Sequence, residues 1–113
     1  MPAVFIAGTD TGIGKTHAAC TLLHALRRAG HDACGMKPVA SGCAETADGL
    51  RNDDALALQA ASSTRLPYAS INPLALRDPL SPHLAAAHEG VEISLAPLRA
   101  AFDGLRAEHR CVV

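Results

Sequence analysis

Tryptophan is missing from the 113-residue sequence, and Phe5, Tyr68 and Phe102 are its only aromatic residues. Much of the 49% hydrophobic content is alanine, so the core is expected to be low in volume. An excess of one charge is missing too. Ten basic against eleven acidic residues leave a net charge of -1, and no basic run is present that could neutralise a string of phosphates. A polynucleotide partner is therefore not expected. No apolar stretch approaches the roughly 18 residues that a membrane-spanning helix needs. The opening Met1-Pro2-Ala3 lacks the charged and long apolar regions of a signal peptide. These absences predict no membrane association and a cytoplasmic protein. Cys20, Cys34, Cys43 and Cys111 form no C-x-x-C pair, and a reducing compartment predicts free thiols that behave as small apolar residues. His83 and His88, five apart, fall on different faces of a helix and match no zinc pattern.

A chain of this length is at most one domain. Residues 3–7, Ala-Val-Phe-Ile-Ala, read as a strand buried on both faces that stops at Gly8. Over residues 16–29, Ala18, Ala19, Leu22, Leu23, Leu26 and Ala29 recur at helical spacing, and Gly30 supplies a left-handed end. A second strand is predicted at 32–36, closed by Lys37-Pro38. Strand, glycine loop, helix and strand make a βαβ unit with a right-handed crossover. Residues 40–51 read as a loop. A helix is predicted from Asn52 as N-cap to about residue 61, with Asp53 and Asp54 in its first turn. Residues 62–79 carry three prolines and read as irregular or only briefly structured. Ser81-Pro82 starts a further helix, as hydroxyl cap and first-turn proline, which Gly90 ends. Ser94 caps another over residues 95–108, with Leu95, Leu98, Phe102 and Leu105 on one stripe. Cys111-Val112-Val113 reads as the opening of a strand. Two full strands and a stub are few for a parallel sheet that needs both faces covered. The fold expected is an α/β parallel sheet flanked by helices, with residues 1–113 as the N-terminal part of one nucleotide-binding domain.

The chemistry lies in Gly8-Thr-Asp-Thr-Gly-Ile-Gly-Lys-Thr16. A glycine-rich loop between strand and helix aims successive backbone N–H groups into one concavity at the positive end of the helix dipole, where phosphate fits. Gly14-Lys15-Thr16 ends like a phosphate loop, in which the lysine meets the β- and γ-phosphates and the hydroxyl ligates magnesium. The strict form would place glycine at position 9, where this chain has Thr9. Ligands of open parallel sheets bind beyond the carboxyl ends of the strands, so Lys37 is expected beside the loop, where a second cation offsets the charge of a transferring phosphoryl group. Ser41 and Gly42 follow as candidates to touch substrate. Asp53 and Asp54 suit the helix dipole in any case. Whichever of them reaches the site would hold magnesium directly or through water.

These pieces, with Lys37-Pro-Val-Ala-Ser-Gly42, Gly49-Leu-Arg-Asn-Asp-Asp54, Asn72-Pro73 and Ser81-Pro-His83, stand in an order that resembles the dethiobiotin synthetases of biotin biosynthesis. The resemblance implies an ATP- and magnesium-dependent ligase with a P-loop NTPase-like fold. Such an enzyme closes a cyclic urea from diaminopelargonate and CO2, giving dethiobiotin, ADP and phosphate. In that family one substrate amine becomes a carbamate, the carbamate oxygen takes the γ-phosphoryl group, and the second amine attacks the mixed anhydride. Carried over by position, Gly12, Ile13, Gly14, Lys15, Thr16 and His17 would cradle ATP, and Thr16 and Asp54 would bind magnesium. Lys37 and Lys15 would be the catalytic lysines, and Thr11, Lys37 and Ser41 would contact carbamate or substrate. The resemblance also implies a homodimer. The family has a further metal-binding carboxylate in a Glu-Gly-Ala-Gly-Gly-like segment that would fall beyond Val113, so residues 1–113 alone are expected to be inactive. Three competing readings are a switch ATPase of the partition type, a cobyrinate-type amide synthase, and a nucleotide-binding module without chemistry. The first resembles K-G-G-x-G-K-T, and Asp10 stands where it has lysine.

Overall fold

The computed structural model describes residues 3–7 and 14–113. The expectations for residues 8–13, Thr11, Gly12 and Ile13 among them, lie outside the described residues. At the centre, β1 (Ala33–Cys34) and β6 (Cys111–Val112) pair in parallel, with Ala33 opposite Cys111 and Cys34 opposite Val112. Backbone groups of a strand alternate between its two edges, which fixes what lies on either side of β6. The Cys111 and Val113 N–H groups donate to Asp32 and Cys34, whereas the Val112 carbonyl accepts from Val4 on the other edge at 2.9 Å. The C-terminal run therefore stands between the two strands that the sequence makes consecutive.

Side chains alternate as well. Ala33, Cys111 and Val113 face a core closed by Leu23 of α1 (Lys15–Arg28), Leu58 of α2 (Asp53–Ala61) and Ile71 of α3 (Tyr68–Ile71). Cys34 and Val112 face the opposite side, where α5 (Leu95–Glu108) brings Leu105 and part of Phe102. Helices thus cover both faces of a parallel pair, as expected of an α/β chain. On the outer edge of β1, Ser63 N–H donates to the Ala33 carbonyl at 2.7 Å, and the hydroxyls of Ser63 and Ser62 accept from Ala33 and Gly35 N–H at 2.8 and 3.0 Å. Two serines after α2 so satisfy an edge that would otherwise be open.

The helical expectations hold closely. Gly30 ends α1 at φ +87°, and Asn52 caps α2 by accepting from Ala55 N–H at 3.0 Å. Gly90 closes α4 (Pro82–Glu89) at φ +71°. Other expectations need correction. The run 3–7 makes a single bridge to Val112, and of its side chains only Ile6 packs against the core, while Phe5 is 90% exposed. Ala18 and Ala29 are exposed, so the buried stripe of α1 narrows to Ala19 and Leu23 with Cys20, Leu22 and Leu26 at its margin. In α5 Leu95 is 76% exposed and only Leu105 is fully buried. The Ser94 hydroxyl makes no cap bond, since Pro97 at the third helical position has no N–H to offer. Nor does the Ser81 hydroxyl: the fixed φ of Pro82 starts α4, and the Ser81 carbonyl takes the first bonds from Leu84 and Ala85.

Residues 40–51 are not a plain loop. β2 (Val39–Ala40) runs parallel to β5 (Leu74–Ala75), and β3 (Ala44–Thr46) pairs antiparallel with β4 (Gly49–Arg51) around a two-residue turn at Ala47-Asp48. The Thr46 hydroxyl accepts from Asp48 N–H and donates to the Gly49 carbonyl at 2.7 Å, while Gly49 sits at φ +112°. Asp-Gly is a hairpin signal, obscured here by small polar neighbours. The interval 62–79 supplies α3 and β5.

Gly35 marks the tightest approach. A Cβ there would lie 2.8 Å from Leu58 Cβ and Cδ2 and 3.2 Å from Leu23 Cδ1. Gly35→Ala is expected to lower unfolding free energy by about 1–3 kcal/mol through overpacking, measured by urea denaturation; an unchanged midpoint would remove the claim of close contact. A second expectation concerns pH. Burial, and then the neighbouring Cys111, push the Cys34 thiol from the ordinary 9.0 up to about 12. Above pH 9 the unfolded chain releases a proton that folded Cys34 keeps, so stability falls as pH climbs toward 12. Denaturation midpoints on either side of pH 9.0, with alkylation of native Cys34 slower than of a free thiol, check this.

Candidate functional site

Two helix N-termini of opposite character meet one strand tip. The first turn of α1 contains no acidic residue and begins from Gly14, whose φ of +93° gives the left-handed entry that favours glycine. Its first residues are Lys15 and Thr16. The first turn of α2 instead carries Asp53 and Asp54, which offset that helix's positive end.

Lys37 reaches the site because β1 continues past Gly35. Met36 N–H donates to the Val113 carbonyl at 3.0 Å and Lys37 N–H to the Ile71 carbonyl at 2.8 Å. Its ammonium donates to Asp54 Oδ2 at 3.4 Å. Lys37 and Asp54 are 34% and 48% exposed, so the pair contributes little to stability.

What holds the two backbones is a buried set of neutral bonds. Asn72 Nδ2 donates to the Lys37 carbonyl at 2.9 Å and to the Leu74 carbonyl at 3.1 Å. Its Oδ1 accepts from the Tyr68 hydroxyl at 2.8 Å, and that hydroxyl accepts from Asn52 N–H at 2.8 Å. Asn52 is the cap of the helix that presents Asp54. The Arg51 guanidinium lies over the Tyr68 ring, 4.2 Å from its centroid. Burial raises the Tyr68 phenol above its ordinary value, against the opposing Asn52 N–H and Arg51. No sequence motif singles out Tyr68, and Asn72 stands out only within Asn72-Pro73. A buried tyrosine four residues before a buried asparagine has no periodic signal that distinguishes it from core.

Lys15, Thr16, Lys37 and Asp54 line one cleft of about 380 Å³, whose other walls are mostly apolar, with Phe5, Met36, Phe102 and Val113 among them. Lys15 and Lys37 are the only lysines in the sequence. Asp54 also lies close enough to α1 to add to burial in raising the Cys20 thiol. The remaining candidates stand further out. His17 is exposed on α1, and Gly14 is exposed at its cap. Ser41 is half-buried and does not line the cleft; Gly42, at φ +64°, lines a neighbouring one with Asp53, Asp54 and Arg51. The loop there is held by Gly42 N–H donating to the Asp78 carbonyl at 2.9 Å. Of the paired aspartates, Asp54 faces the main cleft and Asp53 does not.

The oxygen donors Thr16 and Asp54 suit a hard divalent cation that retains water and polyphosphate ligands. Among the described residues no group of three or more His, Cys, Asp or Glu side chains is placed to hold a metal alone. That combination fits a cation arriving with a phosphate-bearing partner.

Comparison with known proteins places the chain. It is 60% identical over 112 residues to an ATP-dependent dethiobiotin synthetase of Xanthomonas oryzae pv. oryzae (strain PXO99A), an alignment covering 99% of this chain and 50% of that protein. Synthetases of the same name from Xanthomonas campestris pv. campestris (strain B100) and Xylella fastidiosa (strain 9a5c) are 59% and 54% identical over 113 residues, covering 100% of this chain and 50% of each relative. The chain spans about half the length of the curated relatives it matches. The AAA domain family matches residues 2–113, and the described residues show parallel strands flanked by helices; the chain belongs to this family.

Proposed function

We propose that the chain supplies the phosphate-, metal- and carbamate-facing part of an ATP-dependent dethiobiotin synthetase, forming dethiobiotin from diaminopelargonate and CO2. The observation that carries this reading is the convergence of both lysines, Thr16 and Asp54 on one cleft. The names of relatives at 54–60% identity support it.

In this reading residues 1–113 work as part of a single nucleotide-binding domain. The backbone of Gly12, Ile13 and Gly14 and the N-terminus of α1 receive the phosphates, with His17 at the rim. Lys15 and Lys37 bring two positive charges to a cleft where anionic carbamate and triphosphate must approach each other, a repulsion that otherwise keeps them apart. Lys37 comes from the strand tip and Lys15 from the start of α1, so the two charges reach the cleft from different elements. Thr16 and Asp54 would hold magnesium, which when bound withdraws charge from the phosphate oxygens. Thr11 and Ser41 would orient the carbamate or its parent amine. The apolar wall suits the alkyl chain of diaminopelargonate. The family resemblance adds a homodimer, for which molecular mass in solution is the direct measurement, and the protein is read as cytoplasmic.

The test is a chimaera in which residues 1–113 replace the matched half of the Xanthomonas oryzae relative. Labelled bicarbonate should enter dethiobiotin in the presence of diaminopelargonate, magnesium and ATP. Transfer of glutamine nitrogen instead would assign the site to amide synthesis. Lys37→Ala is expected to lower kcat by about 10²–10³-fold, the usual scale for losing one group that stabilises developing charge; unchanged turnover would make Lys37 merely structural. Asp54→Asn should raise the magnesium concentration for half-maximal rate by at least the roughly tenfold typical of perturbed metal sites. The 113-residue chain alone should bind magnesium and ATP yet form no dethiobiotin.

A further inference from the structure

We infer that Tyr68 and Asn72 are positioning residues that set the separation of Lys37 and Asp54, an inference that rests on the magnesium and ATP reading of the cleft. The two charged side chains touch only through a 3.4 Å contact between groups that are 34% and 48% exposed. A contact of that length and exposure is too weak to fix where either charge stands. The backbones that carry them are fixed by another route. From Lys37 the path runs through its carbonyl to Asn72 Nδ2 at 2.9 Å, from Asn72 Oδ1 to the Tyr68 hydroxyl at 2.8 Å, and from that hydroxyl to Asn52 N–H at 2.8 Å. Asn52 then caps the helix turn on which Asp54 sits, through Ala55 N–H at 3.0 Å. The Lys37–Asp54 contact closes this path into a ring.

Each member of the path is committed. Asn72 is 2% exposed and uses its amide for three bonds, two of them to the strand tips at Lys37 and Leu74. Among the described residues no buried side-chain polar atom lacks a partner, so the network is fully satisfied and stiff. An apolar pair of the same volume would fill the space. It would not tie strand tip to helix cap. The consequence is specific: Lys37 and Asp54 reach a metal–nucleotide complex as one preset unit, and loosening the path penalises magnesium-dependent binding more than binding of ATP alone.

The experiment titrates ATP by calorimetry into the chimaera that joins residues 1–113 to the other half of the Xanthomonas oryzae relative, with and without magnesium, for the unaltered chimaera and for its Tyr68→Phe variant, after circular dichroism has established folding. Magnesium is expected to tighten ATP binding, and the factor by which it does so is expected to fall about tenfold in Tyr68→Phe. An unaltered protein that binds no ATP, or gains nothing from magnesium, would overturn the functional reading itself. An unaltered protein that gains, beside a Tyr68→Phe variant that keeps the same factor or loses equally under both conditions, would overturn the positioning role alone. A second measurement needs no substitution and stands if Tyr68→Phe fails to fold. The Asn72 side-chain amide resonances should shift further on saturation with magnesium and ATP than with ATP alone; equal or absent shifts would sink the inference.

Discussion

The parallel contact between β1 and β6 is the constraint on which the rest depends. A parallel pair cannot be closed by a short turn, so the chain must leave the sheet and return along its surface. Here it does so by way of helices that cover both faces. Ala33 and Cys111 meet α1, α2 and α3, while Cys34 and Val112 meet α5. With so small a set of core side chains, close approach replaces bulk. Gly35 lets Leu58 and Leu23 lie directly against the strand, at distances where a methyl group would intrude. The same lack of a side chain brings the N-terminus of α2, and with it Asp54, down beside the strand tip that carries Lys37. Packing economy and site geometry thus share one residue.

Much of this was legible in the sequence, for identifiable reasons. Asn52 followed by two aspartates is a local signal, and local hydrogen bonding realises it without help from the rest of the fold. The ends of α1 and α4 follow from glycines at positive φ. What the sequence hid is non-local. Nothing in Cys111-Val112-Val113 states that this run lies between residues 3–7 and β1; that order emerges only from the alternation of its backbone bonds. The exposure of Phe5 contradicts its apolar neighbourhood because periodicity reports what a residue favours and not whether cover arrives. The hairpin at 44–51 fooled a reading by composition, since the Thr46 hydroxyl does work that a longer apolar strand would do by packing.

The site divides along the same line. Lys15, Thr16, Lys37 and Asp54 were individually recognisable by residue type and place, and the structure brings all four to one cleft. Ser41 and His17 were chosen on the same grounds and stand outside it, because adjacency in a loop or turn fixes a residue's place but not its side chain's direction. Tyr68 and Asn72 carry no charge and no metal-binding signature. Their contribution is visible only as a path of distances between segments remote in sequence.

The charges around the cleft make a further argument about what it is built to receive. A site for an anion alone would gain from cations and from a helix whose first turn carries no acidic residue, which the two lysines and α1 provide. Asp54 would then be a defect, a negative charge at the very place where phosphate is wanted. Its presence there, on a helix capped by Asn52 and faced by Lys37, makes sense if the occupant is itself bipolar, an anion accompanied by a divalent cation. The half-exposed ion pair follows from the same logic. An interaction worth little in the empty site is one that the arriving cation can replace at little cost. The structure so invests its strong, buried bonds in neutral groups that hold the backbone, and leaves Lys37 and Asp54 weakly engaged where ligand must displace them.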